Sequence, residues 1–243
     1  MIAALPKVLI VSLGGTITMT RAGGGGIVPT LTAADLVAAA PGIEAVAAVD
    51  TLSPLRKPGP SLTVDDLLGV ADLLREKLAG ELDGAVVIQG TDTIEETAFA
   101  LDCLVGGDKP VVVTGAMRGP EAAGADGPAN VLAATVVAAS EAARGRGVLV
   151  VLNDEINAAR FVQKTETALP STFRSPGFGP VGIVAEGRAR FHARTERVPG
   201  VSGPFGAEDR PVALLTMALG DDGRLLPALP RLGFAGLVLA GMG

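Results

Sequence analysis

Ala85-Val86-Val87-Ile88-Gln89-Gly90-Thr91-Asp92-Thr93 is the stretch that decides how this chain is read. A short apolar run rich in β-branched residues is a strand buried on both faces, and a glycine followed by a threonine closes it. The pattern occurs once before: Val8-Leu9-Ile10-Val11 leads through Leu13 into Gly14-Gly15-Thr16-Ile17. Open α/β sheets bring such strand ends to one edge, where ligands bind. Two threonines and a carboxylate then face a single crevice. That is equipment for attack by a hydroxyl, and the glycines let the backbone turn sharply and a ligand come close.

Outward from these two ends, apolar runs alternate with helical periodicity. Strands are predicted over residues 8–13, 45–52, 85–88, 110–114 and 148–152. Helices are predicted over 32–40 and 63–78, with Thr32 and Thr63 as N-caps. Two more are predicted over 93–105, with Glu95 and Glu96 in the positive first turn, and over 128–143, with Pro128 at its start. This order implies an α/β fold, a mostly parallel sheet flanked by helices on both faces.

Beyond Asn153 the pattern changes. Residues 156–170 read as polar and irregular, and 178–184 with 189–192 as a hairpin-like addition at the rim. Residues 198–210 are rich in proline and glycine and read as a linker. Strands at 212–217 and 236–239, with a loop and short helix over 220–232, read as the start of a smaller second α/β domain. The expected organisation is an N-terminal α/β domain over 1–195, a linker over 196–210 and an incomplete C-terminal α/β domain over 211–243.

Composition removes several classes of function. The chain has 243 residues, is 48% hydrophobic and carries a net charge of −6 without a basic run, so nucleic acid is not an expected partner. Cys103 is the single cysteine and His192 the single histidine, which leaves no intrachain disulfide, no cysteine-rich metal site and no chemistry needing two imidazoles. No metal is therefore expected. His192 sits between charged neighbours and reads as a surface residue. No apolar run approaches the roughly 20 residues that span a bilayer. Residues 1–7 lack the basic start and long apolar stretch of a signal peptide, so the expected setting is the cytoplasm, away from the membrane.

Other segments have an ordinary reading beside a chemical one. Gly23–Gly26 has no following lysine and no phosphate-binding spacing, and reads as a lid or as an idle loop. Asp92 is either the cap of the following helix or a site carboxylate. Arg118 and Asp126 are expected to form an ion pair that holds their loop. Lys164, one of five lysines, lies in a polar stretch where a solvated loop lysine is the usual finding.

Taken together these segments resemble the bacterial-type L-asparaginase/glutaminase family. The matching strings are Gly14-Gly15-Thr16-Ile17, Gly90-Thr91-Asp92-Thr93-Ile94-Glu95-Glu96-Thr97-Ala98, residues 109–118, Ala125-Asp126-Gly127-Pro128-Ala129-Asn130, residues 147–154 and Lys164-Thr165. They occur in the family's order and cover nearly all of residues 7–195. The resemblance implies an asparaginase-like N-terminal domain that turns L-asparagine into L-aspartate and ammonia, with glutamine as a lesser substrate. It implies Thr16 as nucleophile and Thr91, Asp92 and Lys164 as a second catalytic set. Gly15, Ser61, Gly90, Thr91, Asp92 and Ala116 are the implied substrate contacts. No organic cofactor is implied, and a homodimer or homotetramer is. Independently of the name, a threonine hydroxyl needs a base, and Lys164 is the candidate, oriented by Asp92, provided burial makes its neutral form accessible.

The chain departs from the family pattern in two places. The family carries a tyrosine on the loop after the nucleophile, whereas this chain has no tyrosine, and Ile27 or Val28 stands near that position. Family members also continue into a complete second domain, of which residues 211–243 are expected to be the beginning. Two alternatives follow: an impaired or inactive amino-acid-binding relative, and the amidase subunit of a tRNA-dependent amidotransferase.

Overall fold

The computed structural model describes residues 4–21, 27–197, 200–201 and 210–242. The chain divides into two units, Met1–Ser202 and Gly203–Gly243. In the first unit the strands are β1 (Lys7–Ser12), β2 (Met19–Arg21), β3 (Ile27–Pro29), β4 (Ala48–Leu52), β5 (Gly84–Ile88), β6 (Val111–Thr114), β7 (Val148–Leu152), β8 (Glu155–Ala158), β9 (Gln163–Lys164), β10 (Phe173–Arg174), β11 (Gly182–Ala185) and β12 (Arg188–Phe191). The helices are α1 (Ala33–Ala38), α2 (Val64–Leu78), α3 (Ile94–Leu104) and α4 (Gly127–Ala138).

Eight strands form one sheet in the order β12-β11-β8-β7-β6-β5-β1-β4. The pairs from β4 to β7 are parallel and those from β7 to β12 antiparallel. This is the expected mostly parallel α/β sheet. β5, β6 and β7 are buried at every position, which is why their sequences are unbroken apolar runs. β4 lies at the edge, and its Ala-Val-Asp-Thr-Leu mixes polar and apolar residues accordingly.

Each face of the sheet carries its own core. Val8, Ile10, Val86, Ile88, Leu149 and Val151 point to the face covered by α1 and α4, with Leu36, Ala134 and Val137 among the helix residues they meet. Leu9, Val11, Ala85, Val87, Val113 and Val150 point to the other face, covered by α2 and α3 through Val70, Leu74, Ala98 and Leu101. Alternation along each strand feeds both layers. Because β1 leads out toward β4, and β5 toward β6, the chain diverges between β1 and β5. That crevice is where ligands bind in open α/β sheets.

Thr32 and Thr63 cap α1 and α2 in full capping boxes with Asp35 and Asp66. Asp66 has a second partner outside its helix. Lys57 donates to both of its oxygens at 2.9 and 2.7 Å, and this bond, followed by the Thr63 backbone N–H, holds the Asp66 carboxyl below its usual range. A depressed carboxylate stabilises the fold above the unfolded value and loses that contribution as the pH falls through the folded one. Asp66→Asn is therefore expected to lower the thermal midpoint at pH 7, and the gap from the parent to close as the pH drops below about 4. A gap that stays constant down to acid pH in thermal scans would remove the ion pair as its cause.

Several elements differ from the sequence expectation. Residues 45–52 divide into a 3-10 turn, Ile43–Ala45, and the shorter strand β4. Residues 128–143 divide into α4 and a 3-10 turn, Glu141–Ala143. The stretch expected to be irregular begins with β8, because Asn153 and Asp154, at φ 51° and 61°, make a two-residue hairpin turn out of β7. The rim hairpin is β11 and β12, turned at Glu186 and Gly187, and it extends the main sheet. Glycines 23–26, read as a lid or idle loop, lie outside the described residues, as do most of 196–210.

The second unit contains β13 (Val212–Thr216) and β14 (Gly236–Ala240), paired in parallel from Val212 with Gly236 to Thr216 with Ala240. Two 3-10 turns, Leu226–Ala228 and Pro230–Leu232, stand where a loop and short helix were expected. Among the described residues no helix is long and apolar enough to cross a membrane.

Candidate active site

The crevice is assembled by backbone contact between strand ends. Leu13 N–H donates to Ile88 C=O at 2.8 Å, and Lys57 N–H to Leu13 C=O at 2.8 Å. The chain leaving β1 thus lies between the chain leaving β5 and the segment around Lys57. Gly15, at φ 91°, is so close to its neighbour that a Cβ there would stand 2.1 Å from Gly90 N. Gly59 meets Gly90 in the same way, a Cβ on Gly90 falling 2.8 Å from Gly59 N. Only glycine permits this approach, which brings together the backbone just before Thr16, the backbone just before Thr91 and the Gly59–Ser61 turn.

Thr91 and Asp92 occupy a 3-10 turn between β5 and α3. Thr93, not Asp92, is the residue before the helix, and no side chain caps it. Asp92 therefore does not serve as the helix cap. Its carboxylate accepts from Lys164 Nζ at 2.6 Å, and the same nitrogen donates to Thr91 Oγ1 at 3.0 Å. Lys164 arrives from a distant part of the chain, yet only 14% of its side chain is exposed against 61% for Asp92. The solvated-lysine reading fails for this residue. Lys164 Nζ thus contacts a hydroxyl and a carboxylate at once.

Of the implied substrate contacts, Gly15 and Gly90 line the contact between the strand ends. Ser61 is exposed at the end of its turn, and Ala116 is buried just beyond β6. Ile27 and Val28 lie on β3, paired with Arg21 and Thr20. His192 is exposed, its Nε2 lying 2.8 Å from Pro180 C=O. Cys103 is half-buried, and burial pushes its thiol up. Among the described residues no cluster of His, Cys, Asp and Glu is placed to hold a metal ion.

The loop after β6 is held differently from the expected ion pair. Asp126 accepts the backbone N–H groups of Met117 and Arg118 at 3.0 and 2.9 Å, while the Arg118 guanidinium donates to Gly124 C=O at 2.8 Å. Two backbone donors at an eight- to nine-residue return are a closer match for the carboxylate than a flexible guanidinium. Asn130, 2% exposed, completes the loop by donating to Gly115 C=O and Asp126 and accepting from Asn153 N–H.

Three supporting residues escaped the sequence reading. Gln89, fully buried, donates to Gly90 C=O and to Thr93 Oγ1, which in turn donates to Gly59 C=O. Asn130 is the second. Glu95, assigned only to the helix dipole, accepts the backbone N–H of Lys164 at 2.6 Å. The only local signal for them was a polar residue inside an apolar context, at Gln89 and Asn130.

Comparison with known proteins follows the same path. The N-terminal asparaginase domain family, "Asparaginase, N-terminal", matches residues 7–197. A probable L-asparaginase 4 of Schizosaccharomyces pombe is 36% identical over 99% of this chain and 70% of its own length. L-asparaginase 2 of Escherichia coli is 35% identical over 99% of the chain and 71% of its own. L-asparaginase 2 of Bacillus subtilis is 40% identical over 75% of the chain and 50% of its own. The crystal structure of a probable cytoplasmic L-asparaginase from Campylobacter jejuni superposes with a TM-score of 0.86 at 31% identity, over 98% of this chain and 75% of that one. With its crevice between β1 and β5 and its Thr91-Asp92-Lys164 group, the chain belongs to the asparaginase family.

Proposed function

We propose that the protein is an L-asparagine amidohydrolase acting through a threonine acyl-enzyme. The observation that carries this reading is the contact of Lys164 Nζ with Thr91 and Asp92 beside the strand end that bears Thr16. The relatives are named L-asparaginases, which supports the substrate. Thr16 Oγ bonds to the side-chain amide carbon of asparagine, and its proton passes through Thr91 to Lys164 Nζ. Backbone N–H groups at the strand ends stabilise the oxyanion. The C–N bond then breaks, and the leaving nitrogen takes the proton and departs as ammonia. Water attacks the ester as Lys164 takes its proton, and the intermediate collapses with release of aspartate while Lys164 returns that proton to Thr16 Oγ. Asp92 orients Lys164 and receives the substrate ammonium. Gly15, Ser61, Gly90 and Ala116 complete the substrate contacts.

Glutamine is a weaker substrate in this reading, since one methylene changes discrimination by only about 1–3 kcal/mol. The family pattern supports assembly as a homodimer or homotetramer, and the likeness to a probable cytoplasmic L-asparaginase supports a cytoplasmic setting. A second reading, asparagine binding without hydrolysis, is favoured by one observation: the chain has no tyrosine to relay the nucleophile's proton.

Ammonia release from L-asparagine, measured beside calorimetric binding of asparagine, tests both. Release supports the amidohydrolase, binding without release supports the second reading, and neither defeats both. Lys164→Met removes the base and is expected to lower kcat about 10²-fold, in the usual range for general-base loss. A kcat within threefold of the parent would show that Lys164 is not that base.

A further inference from the structure

Lys164 is held at both ends by one turn of the chain. Its strand, β9, has two residues, stands outside the eight-stranded sheet and, among the described residues, pairs only with β10, through Lys164 with Phe173 and Gln163 with Arg174. So short a ribbon does not by itself fix a side chain with four rotatable bonds. The ammonium reaches Thr91 and Asp92, while the backbone N–H of the same residue donates to Glu95 Oε2 at 2.6 Å. Thr91, Asp92 and Glu95 are successive parts of the turn that opens α3, so the contacts close a ring through Lys164. Glu95 is half-buried on the first turn of that helix.

We propose that Glu95 is a positioning residue for the reaction: its carboxylate fixes the main chain of Lys164 so that Nζ stays in register with Thr91 and Asp92. This rests on the reading of Lys164 as the catalytic base. A glutamate in a helix's first turn also favours the helix dipole, and that ordinary role needs the charge but not the bond. Glu95→Gln separates the two, because it keeps an acceptor oxygen and loses the charge. Misplacement of a reacting group by about 1 Å costs up to roughly 10²-fold in rate, whereas substrate binding away from it is spared.

Glu95→Ala is therefore expected to lower kcat for asparagine by about 10- to 100-fold with KM changed less than about threefold, and Glu95→Gln to recover most of the loss. An activity-independent arm uses isotope-labelled lysine, since the chain has only five lysines. In the parent, Asp92→Asn should move the Lys164 Cε resonance. In Glu95→Ala the same substitution should leave it almost unmoved, and in Glu95→Gln the response should return. Equal responses in parent and Glu95→Ala, or a kcat in Glu95→Ala within threefold of the parent, would overturn the proposal. If the parent itself releases no ammonia, the amidohydrolase reading fails while the resonance arm still decides whether Glu95 positions Lys164.

Discussion

Thr16→Ala is expected to abolish ammonia release from asparagine, with kcat falling about 10⁴- to 10⁶-fold, the scale seen when a nucleophile is removed from a group acting as a unit. The size of the effect follows from the site. In the proposed mechanism Thr16 carries the reacting hydroxyl, whereas Thr91 accepts a hydrogen bond from Lys164. Thr16 is half-buried and follows Gly15 directly, so removal of its hydroxyl and methyl leaves the backbone approach of Gly15 to Gly90 intact. The variant should keep its thermal midpoint and its binding of asparagine. Thr16→Ser retains the hydroxyl and should retain part of the rate. Mass spectrometry adds a second reading: a covalent aspartyl adduct, trapped by acid quench in the parent, should be missing from Thr16→Ala. Release by Thr16→Ala within tenfold of the parent would assign the nucleophile elsewhere, with Thr91 the next hydroxyl in line.

Much of this site was legible in the sequence because its geometry is built from strand ends. β1 and β5 are unbroken apolar runs, so their C-terminal residues could be named without coordinates, and parallel topology brings such ends together. Thr32 and Thr63 were legible for a similarly local reason, since a cap acts within its own first turn. Interactions across long stretches of chain were not. Glu95 and the Lys164 backbone are 69 residues apart, and a glutamate in a helix's first turn already has a sufficient local explanation. Lys57 and Asp66 are only nine apart, but the capping box accounted for Asp66 by itself.

Asp126 shows the opposite error. Opposite charges at Arg118 and Asp126 invited an ion pair, yet the loop turns so that the carboxylate meets backbone N–H groups. The half-buried Met117 N–H must find a partner, and a short acidic side chain reaches it and the neighbouring Arg118 N–H with less loss of rotamer freedom than a guanidinium reaching inward. The turn at Asn153-Asp154 was readable in principle, since both residue types tolerate positive φ. No glycine marks it, however, and β8 lacks the long apolar run that identifies the parallel strands.

Gly15→Ala is the second large effect, and it tests the architecture where Thr16→Ala tests the chemistry. Gly15 stands at φ 91° and ψ −178°, a region that costs other residues about 1–3 kcal/mol. The added methyl would also lie 2.1 Å from Gly90 N and 2.3 Å from Gly90 Cα, and neither backbone atom can rotate aside. To reach ordinary contact the two strand ends must part by more than 1 Å, which carries Thr16 away from Thr91 and Lys164. The expected result is a loss of about 3 kcal/mol or more in urea unfolding, from strain and clash together. Alongside it, kcat should fall about 10²-fold or more through misplacement. Gly69→Ala is the matching control. Gly69 is exposed within α2, and a Cβ there meets nothing within 4 Å, so alanine should raise stability by about 0.5–1 kcal/mol and leave kcat unchanged. A Gly15→Ala protein with parental stability and rate would mean that the close approach of the two strand ends is not what assembles the site. Thr16 would then have to meet its base by movement of the loops, and the fixed ring around Lys164 would lose its partner in the reaction.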